Sequence, residues 1–408
     1  MDAGDDPLMP VTAPAAPGAA ATPVARSGAK VRRGPSPRVA VVLPAALALL
    51  AALYAGLARI GWGLPPAGSL PAEHGPLMVG GFLGTVVTLE RAVALGRRSG
   101  YLYPVLAAAG ALALLAGAAT WGAILIAAGS AGLVGMSVVI ARRHPALHHT
   151  TLALGAASWL AGNVFWAAGW AVFRVVTWWV GFLVLTIAGE RLELSRVLGP
   201  SRASRRAFAA VAAALLAGLA LAVAAPVAGD RLTGAALVAT AAWLFRFDVA
   251  RRTVRQTGLT RYIAAAMLSG YAWLAVAGAL FLLEAGRLAG GPPYDAALHA
   301  VFVGFVFSMI FGHAPIILPA VARVAVRFRP SFYAHLALLH ASLVLRLAGD
   351  LGGWWALRRW GSLLNAAAIL LFLAATLASV RGAGGRGPRG APARWAEPAA
   401  RVPPAPAV

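Results

Sequence analysis

The sequence predicts an all-α fold, a polytopic membrane bundle of about twelve transmembrane helices with both termini in the cytoplasm. Of the 408 residues, 60% are hydrophobic and only 12% are charged. A soluble chain carries about twice that charged fraction. Apolar runs long enough to cross a bilayer recur along the chain, and basic residues cluster in the short connections between them, which is typical of multi-pass membrane proteins.

Three regions follow from composition. Residues 1–38 are rich in Pro, Ala and Gly and end in a basic stretch, so we expect a disordered tail, and 381–408 are similar. Residues 39–380 form the predicted transmembrane domain. Its twelve apolar segments span 39–60, 74–96, 101–120, 122–141, 150–170, 174–196, 205–227, 232–250, 261–285, 296–322, 331–350 and 354–380.

Loop charge predicts the orientation of these segments. Arginine pairs such as Arg97 with Arg98 and Arg251 with Arg252 follow even-numbered segments, whereas odd-numbered connections carry few charges; Arg358 with Arg359 is an exception. By the positive-inside rule both termini are cytoplasmic, and we expect a bacterial inner-membrane protein. The excess of 35 basic over 13 acidic residues therefore reflects topology, so the predicted partner is the lipid bilayer and not nucleic acid.

The chain contains no cysteine, which excludes disulfides, thiolate-held iron–sulfur clusters and covalently attached c-type haem. Any metal must be held by His, Met, carboxylate or backbone oxygen. No nucleotide-binding or zinc-hydrolase motif is present, and the sequence assigns no catalytic residue.

The second segment places ionisable groups at both ends of an uncharged helix. His74 begins it and Glu90 and Arg91 close it, about 24 Å further along a helix axis. Ionisable groups at membrane depth are functional candidates because they are expensive to bury. The sixth segment ends similarly with Glu190 and Arg191. These four residues fit either a proton or substrate path or structural ion pairs that lock helices together.

Two histidines start helices at the same predicted depth: His74 in the second segment and His299 in the tenth. Imidazoles from facing helices could bind one haem iron axially. Alternatively, histidines at these positions could lie in the hydrated headgroup region without binding a metal. His313, on the same predicted stripe as His299, fits a second metal, a proton relay or helix packing. His340 lies near mid-membrane and is a further candidate metal ligand without an identified partner.

Short motifs around these histidines resemble a known family. The run E-H-G-P-L-M-V from Glu73 resembles the helix 2 motif of haem–copper oxidase subunit I, and L-H-A-V-F-V-G from Leu298 resembles its helix 10. Gly312-His313 and the region around His299 also resemble the NnrS family of haem and copper membrane proteins linked to nitric oxide handling. The resemblance implies His74 and His299 as axial ligands of haem b. The sixth and seventh segments contain no histidine and position 297 is Ala297, so no oxygen-reducing copper centre is expected.

The sequence thus predicts a membrane protein that holds haem b, or less favourably copper, and acts in electron transfer or nitrogen-oxide handling with an electron-transfer protein as partner. Two alternatives stay open: a proton-coupled secondary transporter, and an assembly factor for another membrane complex.

Overall fold

The computed structural model describes residues 37–65, 68–322 and 326–383, and every regular element in these ranges is helical. The all-α prediction is therefore confirmed. The two predicted terminal tails fall almost wholly outside the described residues. The first helix begins at Pro37 and the last ends at Ala383, so helix extends slightly into both predicted tail ranges.

Twelve helices of 14 or more residues account for most of the described chain. They are α1 (Pro37–Arg59), α2 (Leu70–Leu95), α3 (Leu102–Leu115), α4 (Ala119–Arg143), α5 (Leu147–Ala167), α6 (Val172–Leu194), α7 (Arg202–Ala224), α8 (Pro226–Phe247), α9 (Gly258–Leu283), α10 (Gly291–His299 continuing through Ala300–Phe307 and Ser308–Ala322), α11 (Phe332–Gly352) and α12 (Trp355–Ala383). Each overlaps one predicted segment. The eighth differs most: it begins at Pro226 and not at 232, because Pro is well suited to a helix start and Asp230 is buried within the helix.

Ten of these helices are long and apolar enough to cross a membrane. The other two, α5 and α8, carry more polar residues, among them His148 and His149 in α5 and Asp230 and Arg231 in α8. The described part of the chain is thus compatible with a multi-pass membrane protein in contact with lipid.

Helices that follow one another in sequence pack side by side, as in α5 with α6, α7 with α8, α8 with α9, and α11 with α12. Three helices spaced four apart form the centre of this arrangement. In α2, α6 and α10, 61%, 72% and 67% of the most apolar stretch is buried, against 28–50% in the other seven candidate spans. The apolar stretches of these three helices are therefore covered mainly by protein.

Two of the central helices share an unusual backbone. In α2 the residues Leu77–Gly84 form a π-helix, and in α10 the residues Ala300–Phe307 do the same. Each π-helical segment begins within three residues of a candidate histidine, His74 in α2 and His299 in α10. A π-helix widens the turn and shifts every later side chain around the axis, and such segments are frequent at functional sites.

Gly84, the last residue of the first π-helical segment, makes room for a buried indole. A Cβ at this position would overlap the ring of Trp159 on α5, which is fully buried and stacks on Phe182 with centroids 4.9 Å apart. We expect Gly84→Ala to lower the free energy of unfolding by about 1–3 kcal/mol, the usual cost of overpacking. Gly135→Ala in α4 is the matched control, because nothing lies within 4 Å of its Cβ position. Denaturation in mixed micelles measures both; equal stability of the two variants would contradict the prediction.

Candidate cofactor site

His74 of α2 and His299 of α10 come together at one end of the two central helices. Their ring centroids are 6.3 Å apart and the ring planes differ by 15°. Stacked rings in contact would lie closer, so the two imidazoles are near each other without direct ring contact. Both rings line the same cavity.

Hydrogen bonds fix which nitrogen of each ring is free. The Nδ1 of His74 lies 2.7 Å from the carbonyl oxygen of Ala52, and the Nδ1 of His299 lies 2.8 Å from that of Asp295. A carbonyl oxygen only accepts, so both Nδ1 atoms donate. In a neutral imidazole the Nε2 lone pair is then available, and neither Nε2 has a hydrogen-bond partner among the described residues. Metal-binding histidines typically show this arrangement, in which the second nitrogen donates to a backbone carbonyl.

The separation of the rings matches two ligands on opposite sides of one metal ion. Metal–imidazole bonds are about 2.0 Å long, and each ring centroid lies roughly 1 Å behind its nitrogen, so linear ligation places the centroids about 6 Å apart. The observed 6.3 Å agrees with this value. Among the described residues no three His, Asp or Glu side chains form a metal-binding group, so two protein ligands are what this pair can supply.

Gly56 of α1 lies directly against the ring of His74. A Cβ at Gly56 would lie 2.8 Å from His74 Cε1 and 2.9 Å from its Nδ1, closer than side chains tolerate. The absence of a side chain at Gly56 therefore lets the imidazole reach the carbonyl of Ala52 on the same helix. The position of the His74 ring depends on this glycine.

The cavity between the rings has a volume of about 210 Å³. Its wall is mainly apolar and comes from α1, α2, α6, α10, α11 and α12; Met78, Val176, Phe302, Phe307 and Ile369 are among the residues that form it. A second cavity of about 280 Å³ shares Tyr294 and Leu298 with the first. An apolar wall with few polar groups is the usual character of cofactor pockets.

A cluster of charges lies beside His299. Asp295, one turn earlier on α10, receives two hydrogen bonds from Arg346 of α11, at 2.8 and 2.9 Å. Arg358 of α12 lies 3.9 Å from the same carboxylate and 2.7 Å from that of Asp350. The Asp295 carboxylate is also 3.4 Å from the Nδ1 of His299. This network joins α10, α11 and α12 and places a negative charge behind a candidate ligand.

Arg59 at the end of α1 differs from the other arginines of the cavity wall. Arg346 and Arg358 are both ion-paired, whereas Arg59 has no ion-pair partner among the residues that the structure describes. Its guanidinium is available to an anionic group of a ligand in the cavity.

His313 of α10, a predicted metal ligand, has both ring nitrogens occupied by protein. Its Nδ1 donates to the carbonyl of Met309 at 2.9 Å, and its Nε2 accepts a hydrogen bond from Arg191 at 3.3 Å. Because neither ring nitrogen is free, the structure gives no support to His313 as a metal ligand. The common stripe predicted for His299 and His313 assumed an unbroken α-helix, and the π-helical segment between them changes that register.

His340 of α11 accepts a hydrogen bond at Nδ1 from the indole of Trp273 at 3.0 Å, and its buried Nε2 has no partner. Among the described residues His340 makes no ring contact or ion pair with His74 or His299, so its role as a metal ligand stays a prediction.

Residues of the two glutamate–arginine dipeptides form two separate ion pairs away from the cavity. Arg191 of α6 makes a bidentate pair with Asp248 after α8, at 2.7 and 2.8 Å. Arg91 of α2 lies 3.9 Å from Glu190 of α6, while Glu90 has no ion-pair partner among the described residues. These contacts connect α2 with α6, and α6 with the residue that follows α8, so a structural role for Arg91, Glu190 and Arg191 also stays a prediction. A proton path through Glu90 and Glu190 stays a prediction.

A family model described as a domain of unknown function (DUF8744) matches residues 38–381. No curated protein and no solved structure matches the sequence significantly.

Proposed function

The chain belongs to the DUF8744 family, and from the two facing imidazoles we propose that it is a membrane haem protein whose His74 and His299 bind one b-type haem. One observation carries the proposal: the ring centroids are 6.3 Å apart, with both Nδ1 atoms donating to backbone carbonyls. The motifs that resemble oxidase helices 2 and 10 support it. Bound haem would supply one-electron redox chemistry.

The protein's own residues define what such a site does. His74 and His299 would supply two nitrogen ligands to the haem iron, and the backbone carbonyls of Ala52 and Asp295 fix their tautomers. Arg59 is the free cation that would bind a carboxylate of the macrocycle. We propose electron transfer or nitrogen-oxide handling as the activity, with a redox protein as partner.

The topology completes the proposal. We propose that all twelve long helices cross a bacterial inner membrane, because basic residues follow the even-numbered ones. Both termini are then cytoplasmic, and the haem lies on the outer side. Reporter fusions at each terminus test this: activity of an outer-side reporter at either end would contradict it.

A spectrum tests the haem assignment. We expect protein purified from haem-replete cells to show low-spin bands in the reduced-minus-oxidised spectrum, and we expect His74→Ala and His299→Ala to abolish them. His144→Ala is the control, because its ring lies in an exposed loop and not at the cavity. A folded protein without pigment, or bands that persist in both variants, would remove haem from this site.

A copper ion is the second candidate at the same two histidines. The cavity of about 210 Å³ is smaller than the roughly 300–1,000 Å³ of common ligand pockets, so a macrocycle requires the wall to open, whereas an ion does not. The thioether of Met78 also lines the cavity, and imidazole and thioether both suit copper. Stoichiometric copper without haem bands, lost in His74→Ala, would select this version.

Gly56→Ala is expected to weaken haem binding about tenfold, the lower end of the effect of losing a group that orients a ligand. The added methyl must displace the His74 ring from the Ala52 carbonyl. Gly63→Ala is the matched control, since nothing lies within 4 Å of its Cβ position. Haem titration of the purified variants measures the difference. Equal affinity in the two proteins would show that the ring position does not depend on Gly56.

A further inference from the structure

A cavity of about 560 Å³ opens at the far end of the bundle from His299, between the α6–α7 and α8–α9 connections. Four arginines line it: Arg246, Arg251, Arg252 and Arg255. All four are exposed, and none has an ion-pair partner among the described residues. A concave surface with four uncompensated guanidinium groups is suited to an anion.

The one acidic side chain in the described wall of this cavity is already neutralised. Both carboxylate oxygens of Asp248 accept hydrogen bonds from Arg191. One of them accepts a further hydrogen bond from the backbone N–H of Ala250 at 2.6 Å. The arginines of the wall are therefore not balanced by Asp248. Arg251 donates to the carbonyl of Arg246 at 3.0 Å, which leaves its charge free to interact.

Exposed apolar side chains are close in sequence to residues of this wall. Val197 and Leu194, in and before the turn Ser195–Leu198, are 85% and 48% exposed, and Phe245, next to Arg246, is 36% exposed. A soluble anion makes no favourable contact with these apolar side chains, whereas an acyl chain packs against them. Two smaller basic cavities, with Arg196, Arg202 and Arg205 among their lining residues, continue the positive surface toward α7.

We propose that this cavity binds the phosphate headgroup of an anionic phospholipid, with the acyl chains against Val197, Leu194 and Phe245. Guanidinium groups recognise phosphate through charge-assisted hydrogen bonds, and basic pockets at helix ends bind anionic headgroups. The inference is independent of the haem assignment because it uses no residue of the histidine cavity.

Phospholipid binding to the purified full-length protein tests the proposal. Native mass spectrometry with phosphatidylglycerol measures the affinity. The double variant Arg252→Gln with Arg255→Gln removes two of the four cations, and neither side chain makes a hydrogen bond within the described part of the chain. Each arginine near an anionic headgroup contributes roughly fivefold to affinity, so we expect the double variant to bind about 25-fold more weakly. Thermal unfolding checks that the variant is folded.

The control removes the same charge elsewhere. Arg97→Gln with Arg98→Gln changes two exposed arginines of the α2–α3 connection, which line none of the three basic cavities. We expect its affinity for phosphatidylglycerol to be unchanged. Equal weakening in both double variants would overturn the proposal, because binding would then reflect bulk charge alone.

Glycerol 3-phosphate and inorganic phosphate distinguish the source of the phosphate group. Both carry the anion without acyl chains, so we expect them to bind far more weakly than phosphatidylglycerol and to compete poorly with it. If either bound as tightly as the lipid and lost affinity in the Arg252→Gln, Arg255→Gln variant, the occupant would be a soluble phosphate and the lipid assignment would be wrong.

Discussion

Replacing Asp248 by Ala should lower the free energy of unfolding by about 3–5 kcal/mol, the usual cost of leaving one member of a buried ion pair alone. The Arg191 and Asp248 side chains are 4% and 0% exposed, and the pair is bidentate at 2.7 and 2.8 Å. Without the carboxylate, the Arg191 guanidinium stays buried beside His313, which accepts its remaining hydrogen bond. Chemical denaturation in mixed micelles measures the loss.

A double variant separates the charge pair from the other role of Asp248. The Asp248 Oδ1 atom accepts a hydrogen bond from the N–H of Ala250, and Asn retains an acceptor there. We therefore expect Asp248→Asn to be strongly destabilising only while Arg191 is present, and Arg191→Met with Asp248→Asn to recover most of the loss. If the double variant were as unstable as Asp248→Ala, the stabilising element would be something other than the charge pair.

This result also bears on the transporter alternative. A structural pair predicts that variants at Arg191 and Asp248 change the amount of folded protein and leave any proton movement per molecule intact. A proton path predicts the reverse for Glu90 and Glu190, which the structure holds near the Arg91 side chain. Vesicle assays normalised to folded protein distinguish the two.

The helices could be predicted from the sequence because long apolar segments separated by basic loops are typical of membrane-spanning helices. The meeting of His74 and His299 could also be predicted, since the apolar segments place both at the same predicted depth; the helix that carries His299 nevertheless begins eight residues earlier, at Gly291. The helical register of the residues that follow these two histidines could not be predicted. A π-helical segment has no signature in hydrophobic spacing, so the stripe that joined His299 to His313 was drawn on the wrong helical period.

The charge cluster beside His299 was missed, although a signal for it was present. Arg358 and Arg359 broke the pattern of basic loops, which the positive-inside rule leaves unexplained. The structure accounts for both: Arg358 lies 2.7 Å from the Asp350 carboxylate, and the Arg359 guanidinium lies 4.3 Å from the ring centroid of Trp62. Arginines held by protein partners need not follow loop-charge rules, and such exceptions indicate where to search for buried acids.

Asp295→Asn should weaken haem binding by about 10–100-fold, the range for partners that orient or polarise a metal-bound histidine. The carboxylate lies 3.4 Å from the Nδ1 of His299 and would stabilise positive charge on the ring and on the iron of the proposed haem. The oxidised cofactor carries more positive charge than the reduced one, so loss of Asp295 destabilises the oxidised form more. We therefore expect the midpoint potential to rise, by on the order of 60 mV for each tenfold difference between the two forms.

Asp350→Asn is the matched control for this prediction. Asp350 belongs to the same network and pairs with Arg358, but no ion pair connects it to a histidine. Both variants replace a buried carboxyl group by an amide, so both should destabilise the fold; only Asp295→Asn, which changes the carboxylate 3.4 Å from His299, should change the potential substantially. Haem titration and spectroelectrochemistry measure the two effects. Equal shifts in potential would show that Asp295 acts through the general charge of the cluster. If the potential did not move in Asp295→Asn, the haem would not lie beside His299, because removal of a charge next to a metal ligand changes the energy of the oxidised form.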